Sequence, residues 1–239
     1  MPARMDYIEG MKPRVIIHNA VSLDGRVDRF AVDLGLYYGI ASRFEEDATL
    51  VGSETCLRSP LGAALQAEPA ADHQKPASGA PEDAPLLVVP DSRGRIRDWN
   101  PIRKEPYWRD ILVLVSAETP PDHIERLQRQ GVSYFVSGRE KVDLAASLES
   151  LNQRTGAKTV RVDSGVTLNG VLLRAGLVDE VSLLLHPSLV GGTSPGTLFR
   201  DPDGSPDSEV IALALVHLER LDGDVVWARY EVVIRGHIT

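Results

Sequence analysis

Cysteine occurs once in the 239 residues, at Cys56. A single thiol makes no internal disulfide and no thiolate cluster. The six histidines (His18, His73, His123, His186, His217 and His237) stand singly, without an HExxH pattern, so no protein-built metal site is expected. Aromatic residues are only 5% of the chain, and Trp99, Trp108 and Trp227 are too scattered to form a stacking platform. Positive charge is in deficit, with 26 Lys and Arg against 34 Asp and Glu and a formal net charge of -8. With no long Lys/Arg run, this balance argues against nucleic acid or an anionic membrane as the main partner. A small anion remains possible, because one arginine and a few backbone amides suffice to hold it. No apolar run approaches the roughly 20 residues of a membrane helix, and the segment from Met1 to Met11 lacks the apolar stretch of a signal peptide. The expectation is a soluble cytoplasmic protein. GxGxxG, GxxxxGK[ST] and GxSxG are all missing, so the common dinucleotide, nucleotide-triphosphate and serine-hydrolase signatures are excluded.

What is present is an alternation of short apolar runs with amphipathic stretches. Val15-Ile16-Ile17, Ala48 to Val51, Leu86 to Val89, Ile111 to Val115, Val132 to Val136 and Thr159 to Val162 read as buried strands. Apolar spacing of three or four predicts helices over 33–47, 120–130, 143–154 and 167–175. Repeated strand, turn and helix imply a largely parallel sheet covered on both faces. The last third differs: residues 181–186, 210–218 and 225–234 read as strands without helices between them. Leu221-Asp222-Gly223-Asp224 forms the turn of a terminal antiparallel hairpin. The expected organisation is one domain over 12–239. Residues 62–85, rich in Ala, Pro, Gly, Glu and Asp, are expected to be a flexible insertion after at most a short helix at 62–67.

Candidate functional residues collect at predicted strand ends, where open α/β sheets bind ligands. Asp163-Ser164-Gly165-Val166-Thr167-Leu168 joins a strand to a helix whose first amides suit a phosphate; turn formation and helix capping explain the same residues. Ser22-Leu23-Asp24-Gly25 puts a carboxylate at another strand end, with a plain turn as the alternative. Gly52-Ser53-Glu54-Thr55 offers a glycine and hydroxyls, or an N-cap through Ser53 or Thr55. Asp91-Ser92-Arg93 suits a ribose or an added phosphate, although Asp and Ser are ordinary turn formers. Gly191-Gly192 would permit close approach of backbone to ligand. Cys56 and His18 read as structural, and His186 as a more open contact.

In these same segments the chain resembles the reductase domain of riboflavin biosynthesis, the pyrimidine reductases with a dihydrofolate reductase-like fold. The resemblance rests on Val21 to Arg26, Leu50 to Thr55, Val89 to Ser92, and the block from Gly165 to Gly192 with Thr167-Leu168-Asn169-Gly170. It implies a three-layer α/β fold and NADPH-dependent reduction of a ribosylaminopyrimidine 5′-phosphate to a ribitylamino product. It also implies a homodimer, with the late hairpin as the contact. Carried over, it makes Asp24 and Thr55 catalytic and places Ser22, Arg26, Arg58 and Asp163 at the substrate. The cofactor falls to Gly52, Thr55, Asp91, Ser92, Arg93, Ser164, Gly165, Val166, Thr167, Leu168, Gly191 and Gly192, with Arg93 a partner for the extra phosphate. No metal is implied. The chain departs from the pattern in carrying Asp163-Ser164-Gly165 where relatives have a glutamate followed by glycines. It reads Arg58-Ser59-Pro60 where they have an Asp-Pro pair, and it adds Glu45, Glu46 and Asp47 beside Arg43. Two alternatives stay open: a reductase of this fold for another carbonyl, imine or pterin, and a non-catalytic nucleotide-binding protein.

Overall fold

A computed structural model describes residues 12–69, 79–192, 196–200 and 210–233. Its frame is one nine-stranded sheet: β1 (Arg14–Ser22), β2 (Ala48–Leu50), β3 (Leu86–Pro90), β4 (Asp110–Val115), β5 (Ser133–Val136), β6 (Thr159–Val162), β7 (Glu180–His186), β8 (Ala212–Arg220) and β9 (Val226–Val233). The spatial order is β5-β4-β3-β2-β6-β1-β7-β9-β8. Every pairing from β5 across to β7 is parallel, and β9 and β8 close that side antiparallel. The helices are α1 (Leu34–Ala41), α2 (Ser53–Arg58), α3 (Gly62–Gln66), α4 (Asn100–Arg103), α5 (Pro121–Arg129), α6 (Leu144–Thr155) and α7 (Val166–Arg174).

Period-two alternation makes the sheet the middle of three layers. Val15, Ile17, Leu86, Val88, Leu112 and Leu114 pack on one face with Leu148 and Leu151 of α6 and Leu172 and Leu173 of α7. Their neighbours Leu87, Val89, Ile111, Val113 and Val115 pack on the other face with Trp99 and with Leu127 of α5. On that second face Ala20 and Leu184 meet Tyr37 and Ile40 of α1 and Trp227 of β9. Both faces of the central strands are buried, which is why their sequences are continuous apolar runs. The expected α/β class, parallel centre and terminal hairpin are all present.

Three local expectations need correction. The helix read over 33–47 ends at Ala41, passes through a 3-10 turn and reverses at Glu45 (φ 48°). The chain must then be extended by Asp47, whose carboxylate accepts from the Lys158 and Thr159 amides at 2.7 and 2.9 Å. The short helix anticipated after residue 62 is α3, but it is no mere surface feature. Leu65 is fully buried, and its carbonyl accepts from the Arg97 and Asp98 amides. At the far end of the segment, the Ala84 and Pro85 carbonyls accept from Arg109. Residues 70–78 of the expected insertion lie outside the described residues. His186 is buried with its ring centroid 5.3 Å from Phe30, so it is not an open contact.

His18 is fully buried on β1. Its Nε2 lies 3.3 Å from the Tyr37 carbonyl, which can only accept, so Nε2 carries the proton. Nδ1 then accepts from the Ser182 hydroxyl at 3.0 Å, and Ser182 in turn accepts from the Trp227 indole at 2.9 Å. Burial, with Arg161 adding to it, pushes the His18 pKa down to about 4, against the weaker pull of the Tyr37 carbonyl and Asp163. The unfolded chain binds this proton near pH 6.5 and the native chain does not, so stability falls as pH drops through the window from 6.5 to 4. The expected loss from this residue is about 3 kcal/mol by pH 4. Urea unfolding of His18→Gln should show a correspondingly flatter acid limb than the parent; equal slopes would remove His18 as its source.

Candidate functional site

The carboxyl edge of the sheet is not level. β2 and β6 stop together, Leu50 opposite Val162. On one side β3 continues past Val88, the partner of Leu50, to Pro90. On the other, β1 is level with Val162 at Ile17 yet runs on to Ser22, five residues or about 16 Å farther, with β7 beside it to His186. The result is a trough floored by the ends of β2 and β6. Loops 91–97 bound one side, and loops 23–26 and 187–192 the other.

The floor is pinned by hydroxyls. The Gly52 amide donates to Ser164 Oγ at 3.1 Å, and the Gly165 amide donates to Thr55 Oγ1 at 3.3 Å. The two hydroxyls lie 3.3 Å apart. Asn19 Nδ2 donates to the Ser164 carbonyl at 3.1 Å, while Asn169 Nδ2 donates to Asn19 Oδ1 at 2.8 Å and to the Leu198 carbonyl at 3.0 Å. Gly170 permits this crossing, since a Cβ there would lie 1.8 Å from the Arg200 carbonyl oxygen. The N-cap of α7 is Gly165, and no side chain caps it; the first-turn amides of Val166, Thr167 and Leu168 thus begin at the trough floor. A Cβ on Gly165 would meet only Thr55 Oγ1 at 3.7 Å, an ordinary contact. The cap of α2 is Gly52 rather than Ser53 or Thr55.

On the high side, Asp24 clamps a loop. Its carboxylate accepts from Ser22 Oγ at 2.6 Å, from the Val190 amide at 3.0 Å and from the Gly191 amide at 2.8 Å. The Ser22 hydroxyl followed by these two amides holds the Asp24 pKa far below the usual carboxylate range. Arg26 Nη2 donates to the Gly192 carbonyl at 3.1 Å, and its Nε lies 3.9 Å from Asp24. Gly191 and Gly192 both take positive φ. Asp163, just past β6, accepts from Arg161 Nη1 at 3.0 Å and lies 3.1 Å from the Tyr37 hydroxyl, whose one proton it shares with the His18 carbonyl at 2.7 Å. Arg161 is buried and also reaches Glu46 at 2.8 Å; the two carboxylates, Asp163 foremost, keep it firmly charged against the cost of burial.

The structure brings Gly52, Thr55, Ser164 and Gly165 into one cluster, and Ser22, Asp24, Arg26, Gly191 and Gly192 into another. Burial overturns one expectation. Asp91 is turned inward and buried, its Oδ2 accepting from the Ile96 amide at 3.0 Å, so it cannot meet a ribose. Ser92 gives its carbonyl to the Thr119 hydroxyl. Arg93 is exposed but does not line the neighbouring cleft of about 760 Å³, which Glu54, Leu57, Arg58, Gln66, Gly94, Arg95 and Arg97 enclose. Arg95 Nη2 donates to Ser53 Oγ at 2.9 Å and pairs with Glu54. Arg58 pairs with Glu54 at the same cleft, away from the Asp24 side where a substrate role would put it. Burial pushes the Cys56 thiol up to about 12, which leaves it unreactive. Among the described residues no His, Cys, Asp or Glu cluster could hold a metal, and no helix is long and apolar enough to cross a membrane.

Sequence reasoning missed Asn19, Tyr37, Arg161 and Arg95. Of these only Arg95 had a readable signal, since the turn at Gly94 rotates the third residue of Arg93-Gly94-Arg95 back toward α2.

The RibD C-terminal domain model matches residues 13–227. The 2,5-diamino-6-ribosylamino-4(3H)-pyrimidinone 5′-phosphate reductase of Archaeoglobus fulgidus is 30% identical over 92% of the chain and 99% of its own length. The protein of the same name in Methanothermobacter thermautotrophicus is 29% identical over 95% of the chain and 100% of its own length. Among solved structures, a pyrimidine reductase-like protein from Corynebacterium diphtheriae superposes with a TM-score of 0.65 at 18% identity, covering 93% of this chain and 92% of that one. The riboflavin biosynthesis reductase of Saccharomyces cerevisiae gives 0.62 at 19%, covering 95% and 93%. These two share the fold, and with the match along nearly the whole sequence the chain belongs to the RibD C-terminal domain family.

Proposed function

We propose that the protein is an NADPH-dependent reductase that converts 2,5-diamino-6-ribosylamino-4(3H)-pyrimidinone 5′-phosphate to its ribitylamino product. One observation carries the reading: the family's sequence pattern falls on the walls and floor of a single trough at the carboxyl edge of the sheet. The full-length relatives bear that reductase name, which favours neither the pterin or other carbonyl reductase nor the non-catalytic binder.

The residues fit a dinucleotide. The uncapped first turn of α7 offers amides to a pyrophosphate, with Gly165 leaving room for close approach. Arg95, in a cleft beside the floor, would take the added phosphate that separates NADPH from NADH, the role first read for Arg93. When bound, the nicotinamide supplies a hydride to the sugar C1′. The protein's part is orientation. Asp163, held by Tyr37 and Arg161, presents a fixed acceptor to pyrimidine amino groups. Asp24 stays ionised and holds the 190–192 backbone at the mouth, and Arg26 beside it serves a 5′-phosphate.

The same reading includes a homodimer in the cytoplasm, formed through the outer strand. β8 is an edge strand, and Leu213, Leu215, Val216 and Leu218 are all exposed along it. A second copy covering this strand accounts for them: across the bulge at 215–217, Leu213, Leu215 and Leu218 share one face, opposite Val232, Tyr230 and Ala228.

NADPH oxidation should follow addition of the ribosylaminopyrimidine phosphate and not of dihydrofolate; the reverse preference would overturn the substrate assignment. Gly165→Glu has space for its Cβ and should fold, yet bind NADPH about 100-fold more weakly, since it puts a carboxylate at the helix start. Unchanged affinity by calorimetric titration would move the pyrophosphate elsewhere. Asp24→Asn replaces one acceptor with a donor facing a backbone amide, so turnover should fall at least about tenfold with NADPH affinity little altered; equal turnover would take Asp24 out of the site. Leu215→Glu should convert a dimer to a monomer in light scattering, and a parent protein that is itself monomeric would refute the β8 interface.

A further inference from the structure

The loop carrying Arg95 rests on a histidine that the proposed chemistry does not use. His123 lies in the first turn of α5 and is buried. Among the described residues neither ring nitrogen finds a hydrogen-bond partner, and Nε2 stands 3.9 Å from Asp91 Oδ2. The ring instead supports the turn above it. Gly94 takes φ +62°, and a Cβ there would lie 2.7 Å from both Cβ and Cγ of His123, so Gly94 sits directly on the side chain.

The rest of the turn is tied down around this contact. The Asp91 amide donates to the Leu114 carbonyl and the Gly94 amide to the Asp91 carbonyl. Asp91 Oδ2 accepts from the Ile96 amide, and the Thr119 hydroxyl donates to the Ser92 carbonyl. Ile96 is fully buried in the core. Between the supported Gly94 and the buried Ile96, one residue points into the cleft, and it is Arg95. Its height above α2 is therefore set from below by the His123 ring and read out above by the contacts to Ser53 and Glu54.

We propose that His123 is a positioning residue for Arg95, and through it a determinant of NADPH over NADH. The inference rests on the reading of this cleft as the site of the added phosphate. Emptying the space beneath Gly94 lets the turn sink and withdraws the guanidinium, whereas the uncapped amides of α7, which NADPH and NADH share, are anchored separately through Gly165 and Thr55. Loss should fall on one cofactor only.

The test is calorimetric titration of NADPH and NADH into the full-length protein and its variants, with folding checked by circular dichroism. His123→Ala should weaken NADPH by about tenfold or more and NADH by less than about threefold. His123→Phe keeps a planar ring under Gly94 and should retain the preference. Gly94→Ala attacks the same contact from above and should lose NADPH selectively, which keeps the test available if His123→Ala does not fold. Parallel loss of both cofactors, or no loss in folded His123→Ala and Gly94→Ala, overturns the positioning role. Arg95→Ala separates the two layers: if it keeps the NADPH preference, the cleft reading itself fails. If it loses that preference while the His123 and Gly94 variants keep it, only the present inference fails.

Discussion

The shortness of two neighbouring strands shapes this protein. β2 has three residues and β6 four, against nine in β1 and seven in β7. β2 and β6 each run within four residues into a helix, α2 and α7, so two early endings put two helix N-termini side by side below their neighbours. Backbone donors at such ends need partners when buried, and here the Ser164 and Thr55 hydroxyls provide them for Gly52 and Gly165. Those hydroxyls tie the β2 end to the β6 end without occupying the α7 amides beyond. The depth of the trough, its polarity and its donors all follow from where these strands stop.

Charge is arranged by the same logic. The acidic run Glu45-Glu46-Asp47 reads as hostile to a phosphorylated substrate, but two of its members are used internally. Glu46 takes the buried Arg161, and Asp47 takes the Lys158 and Thr159 amides. Removing one partner from such a buried pair leaves an uncompensated charge, which makes the arrangement a constraint on geometry more than a source of stability. Its product is a carboxylate, Asp163, braced on both oxygens while still partly open to the trough. A glutamate would reach one methylene farther, and the brace of Tyr37 and Arg161 fits the shorter acid. The formal charge of -8 therefore says little about the local field, where Arg26 faces one end and Arg58, Arg95 and Arg97 gather at the other.

Much of the frame was legible because buried parallel strands are written as unbroken apolar runs. Thr159 to Val162 was read to the residue, and Asp222-Gly223 marked the hairpin. The three-layer sheet, its parallel centre and the strand-end location of candidate residues followed from that. Side-chain direction did not. Asp91 has the same local sequence whether it faces a ribose or the Ile96 amide, and only burial between β3 and α5 decides. Tyr37 and Asp163 meet across 126 positions, and Arg161 looks like any charged residue in a strand until both faces of that strand are known to be covered. The Arg93 and Arg95 exchange has a smaller cause: one left-handed glycine between them reverses which side chain meets the cleft.

Asp24 shows how a carboxylate can be fixed in place by donors without trading protons. A general acid must hold a proton near working pH. Three donors stabilise the ionised form of Asp24, so it has none to give. What it offers is a negative charge fixed in place at the mouth of the trough. In the proposed reaction, the sugar carbon attached to nitrogen would gain positive character before a hydride reaches it. In that reaction, a carboxylate already ordered at the mouth would favour that charge without reorganising at the moment of transfer. The same two amides that fix the charge also fix the loop, so the charge and the position of the 190–191 backbone depend on one set of hydrogen bonds.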